Sequence, residues 1–230
     1  MELENITKQR QSEQKRGYED ACGAAHGLEL IGERWALLVL RELMLGPRRF
    51  SDLRADLPGI SANVLTQRLA ELEERGLVRR RKLPPPASVQ VYEATEWGLE
   101  AEPVLQELGR WAARSPRHDP SLGLSAVSLM LSFRTMIDPR RAEGLDARIG
   151  FRFGADEYVA ELHDGRIEAR RCEAQGADVV FVGTPPAVAG VVYGGAPLDS
   201  VTVEGDLDLA QRFAGLFPLP PKVEAEAHLP

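Results

Sequence analysis

Residues 50–82 read FSDLRADLPGISANVLTQRLAELEERGLVRRRK, and their punctuation sets the architecture of the first half of the chain. Ser51 is placed to cap a short helix, which must end before Pro58 because the residue preceding a proline is pushed out of helical geometry. Pro-Gly-Ile then makes a tight turn. Ser61 caps a second helix running to about Arg75, and Gly76 supplies the left-handed residue that ends it. Helix, tight turn and second helix form the layout of a helix-turn-helix. On the second helix Val64, Leu65, Leu69 and Leu72 share one face and should pack inward. At about 100° per residue, Asn63, Thr66, Gln67 and Ala70 fall on the opposite side. Short donors and acceptors beside a small apolar residue suit base edges in a major groove. The same spacing also fits the solvated face of an ordinary helical hairpin.

The residues that follow favour the first reading. Arg79, Arg80, Arg81 and Lys82 are consecutive cations in LVRRRKL, which fits an edge strand with its charges turned outward. PPPAS makes a turn and VQVYEAT returns as a second strand. A helix-turn-helix with such a hairpin is a winged helix, and the wing's cations are placed to neutralise backbone phosphates. A merely solvated charged hairpin is the alternative. The candidate DNA-contacting set is therefore Ser61, Asn63, Thr66, Gln67, Arg68, Arg79, Arg80, Arg81 and Lys82. Upstream, Leu28, Ile31, Trp35, Leu38, Val39 and Leu43 recur at helical spacing. Gly32 divides that run into two helices, and Gly46-Pro47 stops the second.

Charge supports one local positive surface. The 230-residue chain carries a net −7, yet residues 1–118 hold 18 basic and 18 acidic side chains and residues 119–230 hold 10 and 17. Within residues 48–82 there are nine basic and five acidic, a net of +4. The overall acidity argues against a polyanion-coating protein and leaves room for a single basic face. No apolar run approaches the roughly 20 residues a membrane span needs, and the polar N-terminus is no secretory signal. The expectation is a cytoplasmic protein without membrane contact. Cys22 and Cys172 give no disulfide framework. His26, His118, His163 and His228 show no metal spacing. Gly194 and Gly195 end a helix rather than opening one, so no nucleotide-type loop is evident. The expectations are no enzyme, no metal and no cofactor.

SPRHDPSLG, residues 115–123, has the composition of a linker. The expected organisation is a polar extension at 1–21, a winged-helix domain at 22–115, a linker at 116–123, a second domain at 124–218 and a tail at 219–230. The class is α+β. The second domain begins with one helix and continues with strands ARIGFRF, DEYVAELH and RIEARRC, with Asp164-Gly165 as a strong hairpin turn.

Residues 22–111 resemble the HxlR family of winged-helix transcriptional regulators, relatives of the MarR group. The resemblance rests on the spacing from Cys22 to Arg34-Trp35, the GPRRFSDL block, the ISANVLTQRL helix and YEATEWG after the wing. Gly23 stands where proline is common and Ala94 where leucine is usual. The resemblance implies a homodimer on double-stranded DNA with a palindromic operator. It assigns much of the dimer interface to the helix after Thr95, where Leu99, Val104, Leu105, Leu108 and Trp111 form an apolar stripe. That stripe fits intramolecular core equally well. Some members sense oxidants or electrophiles through a cysteine at the position of Cys22. Preceding a helix, Cys22 would feel a field that depresses a thiol pKa; a small buried thiol is the alternative.

ADVVFVGTPPAVAGVVYGGAPLDSVTVEGDLDLAQRFAGLF resembles the C-terminal part of a sterol carrier protein type 2 domain. This similarity implies an antiparallel-rich sheet with helices on one side and a hydrophobic cavity for an apolar small molecule or lipid. Phe133, Phe151, Phe153, Phe181, Phe213 and Phe217 are the candidate walls, and core is their alternative role. The reading is a DNA-binding regulator modulated by an apolar ligand or by thiol oxidation. The alternative is a carrier whose winged helix serves only for dimerisation.

Overall fold

The computed structural model describes residues 17–224; most of the expected extension and the end of the expected tail lie outside them. The first half contains α1 (Gly23–Ile31), α2 (Ala36–Leu43), α3 (Phe50–Asp56) and α4 (Ala62–Glu74). An antiparallel hairpin follows, β1 (Val78–Lys82) and β2 (Gln90–Ala94), then α5 (Glu96–Leu99) and α6 (Glu102–Ala112). Ser61 caps α4 as its position requires, its Oγ accepting the Val64 N–H. Gly76 adopts φ 74° and the Leu77 N–H returns to the Leu72 carbonyl, closing the helix in a Schellman turn.

Ser51 does not cap α3, because it lies inside the helix. Arg48 is held extended by a β-bridge to Tyr92, so the chain turns helical only after Arg49. The Asp52 carboxylate then reaches back to the Arg49 N–H at 3.3 Å, as acids in the third helical position do. Leu65, Leu69 and Leu72 join Val39, Leu40, Leu43, Leu53 and Leu57 in the buried cluster; each such side chain contributes about 1.5–3 kcal/mol. Gly98 is required where α5 meets the hairpin, since a Cβ there would lie 2.1 Å from the Leu77 carbonyl oxygen.

The second half contains α7 (Ala126–Met136), β3 (Ala147–Phe153), β4 (Asp156–His163), β5 (Arg166–Arg171) and β6 (Val179–Val182). These are followed by α8 (Pro185–Tyr193), a short 3-10 turn, β7 (Thr202–Gly205) and α9 (Leu207–Ala214). The sheet order is β5-β4-β3-β6-β7. Only the β3–β6 pairing is parallel, and the other three are antiparallel. Asp164 and Gly165, both at positive φ, form the β4–β5 turn. Along β3, Phe151 meets rings of α7 and α9. The alternate residues Arg148 and Arg152 pair with Glu161 and with Glu157 and Glu204 on the other face. One face of the sheet is therefore apolar beneath helices and the other is charged.

Phe133, Phe151, Phe181, Phe213 and Phe217 are buried against one another, whereas Phe153, at the edge of this layer, is partly exposed and lines a cleft. Phe133 lies 5.6 Å from Phe151, 5.3 Å from Phe213 and 4.7 Å from Phe217, centroid to centroid. Phe151 lies 5.6 Å from Phe181 and 5.9 Å from Phe153. Large rings from α7, β3, β6, α9 and the residues after it meet in one layer at ordinary aromatic contact distances. That spacing leaves no room for an acyl chain among them.

The halves are packed together. Residues 113–125 hold no helix or strand, yet apolar side chains from both sides of them belong to one buried cluster. Ser125 Oγ donates to Glu42 Oε1 at 2.8 Å, and Arg134 pairs with Glu102. Burial raises the Glu42 carboxyl above its usual pKa despite the opposing influence of Arg41 and Ser125.

Candidate nucleic-acid interface

On α4 the residues Ser61, Asn63, Thr66, Gln67 and Ala70 are all exposed, while Leu65, Leu69 and Leu72 are buried. Packing of the leucines on the side of α4 that faces α2 and β1 orients the polar face outward. Thr66 donates to the Ala62 carbonyl at 2.9 Å and Gln67 Nε2 to Glu71 Oε1 at 3.1 Å. These contacts hold the side chains close to the helix while leaving acceptor atoms outward. Asn63 is exposed with both its amide donors and its carbonyl available.

Arg68 departs from the expectation. It is only 9% exposed and is paired with Glu71 and, at 3.5 Å, with Glu33. A guanidinium committed to two carboxylates inside the fold does not face DNA. Its spacing carried the signal: position 68 follows Val64 by four residues and precedes Leu72 by four, which places it on the inner stripe.

The wing cations are all exposed, but they are not equivalent. Arg79 Nε and Arg81 Nε both donate to the Glu93 carboxylate, at 2.6 and 2.5 Å. Burial alone would raise Glu93, and the two arginines outweigh it and hold the carboxyl below its usual pKa. Arg80 pairs with Glu73 at 2.9 Å and lies 5.7 Å from the Tyr92 ring centroid. Lys82 has no ion-pair partner among the described residues. The row of four therefore presents less net charge than its sequence suggests.

Cys22 is exposed and occupies the N-cap position of α1. The Ala24 and Ala25 N–H groups lower its thiol below the ordinary value. These N–H groups are free ends of the first turn of α1, which favour the thiolate over the thiol. The buried-thiol alternative does not hold. The α6 stripe is also resolved. Val104, Leu108 and Trp111 are exposed, Trp111 at 71%, while Leu105 packs inward.

Helix, turn, outward second helix and cationic hairpin define a winged helix-turn-helix, the class of DNA-binding transcriptional regulators. The HxlR-like helix-turn-helix family pattern matches residues 30–119. YkvN of Bacillus subtilis, an uncharacterised HTH-type transcriptional regulator, is 43% identical over 94 residues, covering 40% of this chain and 77% of its own length. The HTH-type transcriptional regulator YodB of the same organism is 40% identical over 83 residues, covering 36% and 74%. The solved reduced form of YodB aligns with a TM-score of 0.39 at 34% identity, covering 44% of this chain and all of that one. The chain belongs to the HxlR-like helix-turn-helix family.

One residue that the sequence reading passed over is Arg48, counted there only among the basic side chains. It joins the winged helix to the second half, and its central position depends on a partner 108 residues away.

Proposed function

We propose that the chain regulates transcription as a homodimer on a palindromic operator, reading bases with Asn63, Thr66 and Gln67 of α4. The observation that carries this reading is the exposed polar face of α4 beside the β1–β2 hairpin. Lys82, which has no ion-pair partner among the described residues, is the principal phosphate contact of the wing, and Arg80, exposed beside Glu73, joins it by exchanging that carboxylate for a phosphate. A second copy of the chain covers Val104, Leu108 and Trp111, an apolar stripe left exposed on α6. The second half is read as a sterol-carrier-like scaffold whose interior is filled by its own side chains.

The test uses operator fragments selected by the protein from a random DNA pool and mobility shifts over a salt series. Gln67→Ala is expected to weaken the selected site by about 1–3 kcal/mol and random DNA hardly at all. Arg80→Ala with Lys82→Ala should weaken both alike and flatten the salt slope by about two. An unchanged salt slope would remove the wing from the interface.

Thiol modification at Cys22 is proposed to modulate this binding, since the thiol is exposed, lowered in pKa and close to the helical half of the fold. Maleimide labelling of native protein at pH 7, mapped by peptide mass, is expected to be several-fold faster at Cys22 than at Cys172. The advantage should shrink as pH rises toward the range in which ordinary thiols ionise, about 8.5. Equal rates at pH 7 would count against the sensor.

A further inference from the structure

Between the two halves lies a cleft of about 470 Å³, within the range of small-molecule sites. Its walls include Asp56 and Pro58 at the end of α3, Leu124 before α7, Phe153 and Asp156 at the β3–β4 turn, and Pro185 opening α8. One wall is thus a helix of the DNA-reading unit and the others belong to the second half. The apolar walls suit a compact hydrocarbon body. The charged groups of the walls are two carboxylates.

Arg48, 7% exposed, ties those carboxylates together, donating Nη2 to Asp56 Oδ2 and Nη1 to Asp156 Oδ2, the latter at 2.9 Å. One cation against two anions leaves this trio at −1. Asp56 Oδ1 and Asp156 Oδ1 have no hydrogen-bond partner among the described residues, so both can accept from an occupant. The N-terminus of α7 offsets about half a charge. The N-terminus of α8 begins Pro185-Pro186 and offers no N–H at those positions. An anionic occupant would therefore meet two carboxylates whose guanidinium is already engaged. A cation with an apolar body satisfies both kinds of wall.

We propose that this cleft is an effector site for a small amine carrying an aromatic or aliphatic body, read out through Arg48. The Arg48 backbone exchanges hydrogen bonds with Tyr92 of β2 at 2.9 and 2.8 Å, while its side chain holds α3. An ammonium group that takes up Asp156 alters the ion pair joining the sheet to both the helix-turn-helix and the wing. A ligand shifts DNA affinity only through such a difference between two states. The site stands on the cleft alone; its effector role rests on the DNA-binding reading.

Calorimetric titration of the full chain with phenethylamine and with benzoate, without DNA, tests the site. Phenethylamine is expected to bind saturably at one per chain. Asp156→Asn should weaken it about tenfold or more, the effect of losing one charge-assisted contact. Ala55→Trp, which fills the cleft from the exposed side of α3, should do the same with an unchanged circular dichroism spectrum. Benzoate should bind at least about tenfold more weakly than the amine, as like charge requires. Absence of saturable binding, indifference to both substitutions, or a preference for benzoate would overturn the site. Mobility shifts on the selected operator with and without saturating phenethylamine then test coupling. A change of several-fold is expected, and binding that leaves operator affinity unaltered would overturn the effector role.

Discussion

Phe133→Ala is expected to lower the free energy of unfolding by about 3–5 kcal/mol, read as a fall in the urea midpoint at an unchanged denaturant slope. Phe133 is fully buried, and its ring meets Phe151, Phe213, Phe217 and Tyr193 at centroid separations of 4.7 to 6.3 Å. Truncation removes contacts with four aromatic partners and leaves a void that their rings cannot close together, because they sit on β3, on α8, on α9 and on the segment after α9. The same substitution would be mild if these residues lined an empty cavity, since one wall facing a void has fewer partner atoms to lose. Phe153→Ala supplies the comparison: that ring is partly exposed at the cleft and should cost less. A loss at Phe133 of under about 1 kcal/mol, the size of an ordinary surface change, would mean the interior is not packed as described.

The helix-turn-helix was legible because its boundaries are written in residues with narrow conformational options. Pro58, Gly59, Ser61 and Gly76 each restrict or permit one backbone geometry, and all four act locally. The strands of the second half were legible for a similar reason, with Asp164-Gly165 fixing one hairpin and alternating apolar residues marking the face beneath the helices. Arg68 was misread although its position was available, because its charge outweighed its place on the inner stripe. The phenylalanines were read as cavity walls or as core, and side-chain identity alone does not say whether rings meet or stand apart. That depends on how closely α7 and α9 approach the sheet. The pairing of Arg79 and Arg81 with one carboxylate followed from hairpin register, which PPPAS did not specify. Arg48 was illegible as a junction because only Asp56 is near it in sequence, while Tyr92 and Asp156 come from elements distant in sequence.

Arg48→Met is the second large expected loss. Removing one partner from a buried ion pair costs about 3–5 kcal/mol, but the Asp56 and Asp156 side chains remain 25% and 38% exposed and can regain water. The expected loss is therefore nearer about 2–3 kcal/mol, with methionine replacing much of the buried hydrocarbon. The backbone pairing with Tyr92 does not need the guanidinium and should survive, so the wing keeps its shape. What changes is the connection across the two halves. Pairing the substitution with Asp156→Asn in a double-mutant cycle isolates that connection, and a coupling of about 0.5–3 kcal/mol is expected for residues in direct contact. Cycling Arg48→Met with Leu207→Ala, an exposed site on α9, should give additive losses. Additivity in the first cycle would show that Arg48 serves only its local helix. Non-additivity there, with weaker binding to the selected operator, would establish that the sheet half helps to position α3 and, through it, the reading face of α4.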